Sequence, residues 1–138
     1  MWYYQNKVFT SDDIDDNIGF VYEITNTQNH MKYIGKKNFW STRKLPPLKG
    51  KTRKRTVVKE SDWQDYFGSS EEVKLLVEQN GSDIFHREIL HLCKSKGEMS
   101  YMEAKLQFDF EVLLRDDYYN GIINCRINKS HVKNLKRK

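Results

Sequence analysis

The sequence predicts a single α+β domain over residues 1–138, in which a small antiparallel sheet of about three strands is flanked by helices. The length of 138 residues allows one domain of ordinary size. Seven Phe, eight Tyr and three Trp supply large side chains for a compact core. Stretches rich in β-branched and aromatic residues alternate with stretches of helical apolar spacing. No apolar run approaches the roughly 18 residues of a membrane span, so we expect a cytoplasmic protein without a membrane partner.

A β-hairpin is predicted near the start of the chain. Residues 19–26 and 31–36 are rich in β-branched and aromatic residues and flank a polar turn. If the turn is centred on residues 27 and 28, Tyr22 lies opposite Tyr33, and the two phenols project from the same face. The other strand candidates are residues 1–9, 84–92 and 122–127.

Three helices are predicted from capping patterns and apolar spacing. Serines followed three residues later by Gln or Glu predict helices over residues 62–67 and 70–79. Ser100 opens the longest helix, over residues 101–115, in which Glu103 shares the apolar face. A carboxylate on that face is either the capping partner of Ser100 or a ligand, since an unpaired buried carboxylate is costly.

Basic residues are concentrated in two segments, although the formal net charge is only +5. Residues 43–59 contain eight Lys or Arg and no acid, within a predicted loop over residues 38–60, and residues 133–138 contain four more in a basic tail over 131–138. Clustered cations displace counterions from nucleic-acid phosphates, so a polyanion is the expected partner, although a solvated loop has the same composition. The residues expected to contact DNA are Lys36, Lys49, Lys51, Arg53, Lys54 and Arg55.

Several other chemistries are not indicated by the motifs. Cys93 and Cys125 lie far apart in the sequence, and for neither do we identify a second Cys or a His at the spacing of metal ligands. The sequence therefore predicts neither a zinc site nor a disulfide. The histidines form no paired helical motif, and there is no Gly-x-Ser-x-Gly elbow. Gly50-Lys51-Thr52 lacks the earlier glycine and strand of a nucleotide-binding loop.

The remaining polar residues carry a resemblance. Val21-Tyr22, then Tyr33-Ile34-Gly35, Arg43 and Glu103 occur in the order found in the GIY-YIG nucleases, and the chain resembles their SegE-like phage homing-endonuclease branch from about residue 19 to residue 126. The resemblance implies that Tyr22 and Tyr33 line the site, Arg43 contacts the scissile phosphate, and Glu103 holds one Mg²⁺ or Mn²⁺ ion.

Two further site residues follow from the same resemblance. The family has a His or Tyr before the third strand, which Tyr66 fits, and an Asn after the long helix, for which Asn120 is preferred over Asn124. The implied activity is metal-dependent nicking or cutting of DNA, with no small-molecule cofactor beyond the metal. The base is either Tyr22 or metal-bound water.

Alternatives to this activity remain open from the sequence. A non-catalytic DNA-binding protein and an RNA nuclease each account for the basic segments. Because one such site cuts one strand at a time, cleavage of both strands requires a homodimer, two binding events or reorientation on the DNA.

Overall fold

The computed structural model describes residues 1–136, so Arg137 and Lys138 of the predicted basic tail lie outside it. The predicted α+β class is confirmed. The strands are β1 (Trp2–Tyr4), β2 (Lys7–Phe9), β3 (Gly19–Asn26), β4 (Lys32–Asn38), β5 (Trp40–Leu45), β6 (Arg55–Glu60) and β7 (Phe85–Cys93). The α-helices are α1 (Glu71–Asn80) and α2 (Lys96–Asp109). Within residues 1–136, no helix has the length and apolar character needed to cross a membrane.

The main sheet has five strands in the order β2-β1-β7-β3-β4. β1 runs parallel to β7, and the other neighbouring pairs are antiparallel, so the predicted three-stranded antiparallel sheet is corrected to a mixed sheet. The additional strands come from the N-terminal hairpin. Trp2 is buried and its indole N–H donates to the carbonyl of Trp63 at 2.7 Å, which holds β1 against the core.

The β3–β4 hairpin forms as predicted, but its register differs by two residues. Tyr22 pairs with Gly35, and Tyr33 pairs with Ile24. Asn26 accepts from the N–H of Gln28 at 2.9 Å, and this local turn lengthens the connection between the strands. The two tyrosines are therefore diagonal neighbours rather than directly opposite.

The predicted loop over residues 38–60 is instead largely a second hairpin. β5 and β6 form a separate two-stranded antiparallel sheet, with residues 46–54 between them. All six residues of β6 are exposed. Because neither face is covered, the strands need no alternation of polar and apolar residues, and the pattern that normally predicts a strand is missing.

Three predicted elements are corrected. The helix over residues 62–67 is only a 3₁₀ turn at Trp63–Asp65, and residues 122–127 form no strand. α2 begins at Lys96, five residues earlier than predicted, and Ser95 caps it by accepting from the N–H of Glu98 at 3.0 Å. The capping interpretation of Glu103 is therefore wrong, since Glu103 lies in the interior of α2.

The free edge of β4 is covered by the chain that follows α2. The Lys32 N–H donates to the Asp117 carbonyl at 2.9 Å, and the Tyr119 N–H donates to the Lys32 carbonyl at 2.7 Å. α2 packs on β3, β4 and β7. This arrangement brings residues from α2, β4 and the segment after α2 to one edge of the sheet.

Candidate active site

A cavity of about 430 Å³ lies at the outer edge of β4. Tyr33 and Lys36 of β4, Glu103 of α2 and Asn120 of the following segment all line it. The structure therefore brings together four residues that come from three separate parts of the sequence. Gln107, one turn after Glu103 on α2, also lines the cavity.

Gly35 makes room for the Tyr22 side chain. A Cβ atom built on Gly35 would collide with the Tyr22 hydroxyl and would lie 3.0 Å from the Tyr33 ring. Tyr22 is fully buried, and among the described residues its hydroxyl has no hydrogen-bond partner. Burial raises the pKa of Tyr22 well above its ordinary value of 10, so the phenol is protonated in this state.

Tyr33 and Tyr66 flank Tyr22. The Tyr22 and Tyr33 ring centroids are 6.2 Å apart, and Tyr66 meets Tyr22 edge-on at 6.0 Å. The Tyr33 hydroxyl shares a 2.8 Å hydrogen bond with the Ser69 hydroxyl, while burial raises the pKa of Tyr33. The Lys37 ammonium lies 4.1 Å from the centre of the Tyr66 ring and places a positive charge beside these phenols.

Glu103 carries the negative charge of the cavity. Its side chain is 15% exposed, and its Oε1 lies 3.8 Å from the Lys36 ammonium, which donates to the Ser100 hydroxyl at 3.1 Å. Burial raises the pKa of Glu103, and the charge of Lys36 opposes that rise. A single partly buried carboxylate at a cavity fits one hydrated divalent cation, because Mg²⁺ keeps several waters and needs few protein ligands.

Asn120 binds the backbone of β4 rather than facing only the cavity. Its Oδ1 accepts from the Ile34 N–H at 3.0 Å, and its Nδ2 donates to the Ile34 carbonyl at 2.8 Å. Gln107 donates to the same carbonyl at 3.0 Å. The two amides therefore hold β4 against α2 and fix the spacing between Tyr33, Lys36 and Glu103.

Arg43 and the predicted DNA-contacting residues of the basic segment lie elsewhere. Arg43 is on β5, opposite Val57 of β6, and it is not among the residues that line the cavity. The structure places only Lys36 of the predicted DNA-contacting set at the cavity. The remaining members lie in the exposed connection between the two strands and at the start of β6: Lys49, Lys51, Arg53, Lys54 and Arg55.

A second polar cluster joins β7 to the start of α2. The ligand atoms of His91, Cys93 and Glu98 lie within 4.8 Å of one another, so the prediction that Cys93 has no neighbour at ligand spacing is wrong. Glu98 already accepts from His91, from the Lys94 N–H and from the Asn134 amide, each at 2.8 Å. Burial raises the pKa of the Cys93 thiol to about 12, which keeps it neutral. The bond from Asn134 fastens the segment after residue 128 to α2.

Some supporting residues could not be singled out from the sequence. Arg87 is 5% exposed, and its guanidinium donates to the Gln64 and Tyr66 carbonyls at 2.9 and 2.8 Å, which fixes the segment carrying Tyr66. Burial lowers the pKa of Arg87 to about 10. Arg87 occupies an inward position on β7, where the alternation predicts an apolar residue, so no pattern marks it.

A family model described as "Putative endonuclease segE, GIY-YIG domain" matches residues 2–123. The chain therefore belongs to the SegE GIY-YIG endonuclease family, which confirms the resemblance drawn from the motifs. No match was found among curated proteins or among solved structures.

Proposed function

We propose that this endonuclease domain, spanning residues 1–138, hydrolyses DNA phosphodiester bonds with one Mg²⁺ or Mn²⁺ ion held by Glu103. Glu103 carries the proposal, because a carboxylate that is 15% exposed, and whose one ion-pair partner among the described residues is an ammonium 3.8 Å away, has a strong reason to bind a cation. The family relationship favours a phage homing-endonuclease role in the host cytoplasm.

The cation and the cationic side chains share the neutralisation of the phosphate. A divalent ion at Glu103 supplies charge for the phosphate oxygens and lowers the pKa of bound water. Lys36, 3.8 Å from Glu103, lies close enough to contact the same phosphate. Arg43 approaches the scissile phosphate from the β5–β6 hairpin, and its planar fork gives two parallel hydrogen bonds.

We assign the orientation of the attacking water to Tyr33, which lines the cavity and is held by Ser69. Tyr22 is protonated and fully buried, so its hydroxyl, which has no partner among the described residues, reaches a water or a phosphate oxygen only when the side chains around it move apart. Lys37 lies over the Tyr66 ring. Because its pKa is raised, Tyr22 would not start the reaction as a free phenolate base.

Cleavage of supercoiled plasmid tests the function. Wild-type protein should convert plasmid to nicked or linear DNA with Mg²⁺ and not with a chelator, and it should leave RNA of matched sequence uncut. Glu103→Gln, which keeps the shape but removes the charge, should abolish Mg²⁺-dependent cleavage. Asp109→Asn, an exposed change on the same helix, is the control and should cut normally.

Two results would contradict the proposal. Cleavage by Glu103→Gln at the wild-type rate would remove Glu103 from the metal site. Tight DNA binding by wild-type protein without cleavage under any divalent ion would leave a non-catalytic DNA-binding protein as the better description.

A further inference from the structure

The β5–β6 hairpin, with its connection at residues 46–54, forms an exposed two-stranded ribbon. Each strand has six residues, which corresponds to a length of about 20 Å. Eight basic residues lie between residues 43 and 59. In the part of the chain that the structure describes, none of the eight forms a salt bridge, although Lys37 and Lys94 elsewhere are paired with carboxylates.

The two faces of the ribbon differ in charge. Residues that pair across an antiparallel ladder project from the same face, and the face alternates along each strand. One face carries three cations and no acid: Ser41, Arg43, Leu45, Arg55, Val57 and Lys59. The other carries one cation and one acid: Trp40, Thr42, Lys44, Thr56, Val58 and Glu60. We call the first of these the basic face.

The opposite face is turned towards the protein at its base. Glu60 accepts from the indole N–H of buried Trp63 at 2.7 Å and from the Ser11 hydroxyl. On the basic face Ser41 and Leu45 are half-buried, while the three cations are exposed. Among the described residues, the basic face makes one side-chain hydrogen bond, in which Arg55 Nε donates to the Pro46 carbonyl at 3.4 Å. This long bond leaves the two terminal nitrogens of Arg55 free to bind another group.

The dimensions of the ribbon suit one groove of duplex DNA. The major groove of B-form DNA is about 12 Å wide and admits a two-stranded β-ribbon, whereas the minor groove is about half that width. The major groove of A-form RNA is deep and narrow, so side chains on a ribbon cannot read it. A ribbon with three cations on one face therefore matches B-form DNA in both shape and charge.

We infer that the outer end of the ribbon enters the major groove with its basic face towards the DNA, and that Arg55 reads a guanine there while Arg43 remains at the phosphate backbone. Arg55 lies two ladder positions further from the protein body than Arg43. An arginine fork pairs with the O6 and N7 atoms of guanine, and this is the commonest specific contact in the major groove. The cations of the connection then lie along the groove walls, where phosphate contacts position a protein without identifying bases: Lys49, Lys51, Arg53 and Lys54.

The inference rests on duplex DNA being the substrate of the proposed function, so its test measures binding alone. Glu103→Gln protein is used to select duplexes from a random DNA library. We expect guanine to be enriched at one position, and Arg55→Ala in that background should reduce the enrichment by about 5- to 150-fold, the range for loss of one bidentate pair. Alanine is used because lysine can also donate to the guanine O6 and N7 atoms.

Lys44→Ala is the matched control, because Lys44 lies one ladder position away on the opposite face. It should leave the guanine enrichment unchanged. Circular dichroism of Arg55→Ala should match that of its parent, since the Arg55 side chain is exposed and supports no buried group. Guanine enrichment in Arg55→Ala equal to that of its parent would overturn the inference even if plasmid cleavage succeeds.

Duplex RNA provides a second arm of the same test. An RNA duplex that binds with the same dependence on Arg55 would also overturn the inference, because a ribbon cannot enter the A-form major groove. Failure of the wild-type protein to cut plasmid, with the selection result intact, would instead contradict only the proposed function.

Discussion

Replacing Asn120 with Ala should destabilise the protein as well as impair cleavage. The Asn120 amide makes two hydrogen bonds to Ile34, to its N–H at 3.0 Å and to its carbonyl at 2.8 Å. In Asn120→Ala the carbonyl keeps the bond from Gln107, but the N–H loses its only recorded side-chain acceptor. Ile34 is fully buried, so water replaces that acceptor poorly.

The size of the expected loss in stability follows from one unsatisfied donor, the Ile34 N–H. Leaving a buried N–H without a partner costs about 1–3 kcal/mol of unfolding free energy. For a chain of this size each kcal/mol lowers Tm by about 4 °C, so Asn120→Ala should melt about 4–12 °C below wild type. Thermal unfolding followed by circular dichroism, with urea unfolding as a second measurement, gives both quantities.

Asn124→Ala is the control, because Asn124 lines the same cavity but is exposed. We expect it to melt with the wild type. If Asn120→Ala melts with the wild type and yet fails to cut DNA, Asn120 contacts substrate and the positioning argument is refuted. A large loss of stability in Asn124→Ala would show that the wrong asparagine was chosen.

Three other outcomes are expected. Gly35→Ala should lower both Tm and cleavage, since its Cβ would collide with the Tyr22 hydroxyl; an unchanged melting curve would show that the hairpin adapts at no cost. Burial raises the pKa of Glu103 above 4.5, so this group contributes stability at low pH and loses that contribution as the pH rises through its folded pKa. The rise in Tm caused by Mg²⁺ should therefore shrink as the pH falls through that pKa, and it should be absent in Glu103→Gln at every pH. Neutralising four basic residues of the ribbon together should weaken binding to many DNA sequences and flatten the salt dependence of binding by about one unit of log slope per lost contact. An unchanged slope would indicate a solvated loop. The four residues are Lys51, Arg53, Lys54 and Arg55.

The start of α2 shows why a local pattern is insufficient. Ser95 and Ser100 are each followed three residues later by a glutamate, so the capping pattern occurs twice within one stretch of chain. The structure selects Ser95, and Gly97 in the first turn lies against the backbone of His131, where a Cβ would collide. The first turn of α2 thus packs against a segment more than 30 residues away, and the local sequence does not contain that contact.

Elements whose cause is local were predicted more closely. The helix predicted over residues 70–79 is α1, which ends at Asn80 because Gly81 adopts a φ of 82° that other residues avoid. The β3–β4 hairpin is also confirmed, because its two strands and their turn are adjacent in the sequence. Its register, however, depends on hydrogen bonds in the turn. The ribbon was missed because neither of its faces is buried, and burial is what creates a readable alternation.

The position of the site follows from how the edge of β4 is covered. An uncovered edge strand presents free N–H and carbonyl groups, and proteins usually protect it. Here the segment after α2 covers alternate residues of β4, whose backbone groups face away from β3. The backbone of Asp117 and Tyr119 binds the backbone of Lys32, and the Asn120 side chain binds the backbone of Ile34. By the same alternation Lys36 is the next outward position, and its side chain lies beside Glu103. The part of β4 that is covered by the protein's own chain thus ends at Lys36, which lines the cavity beside Glu103.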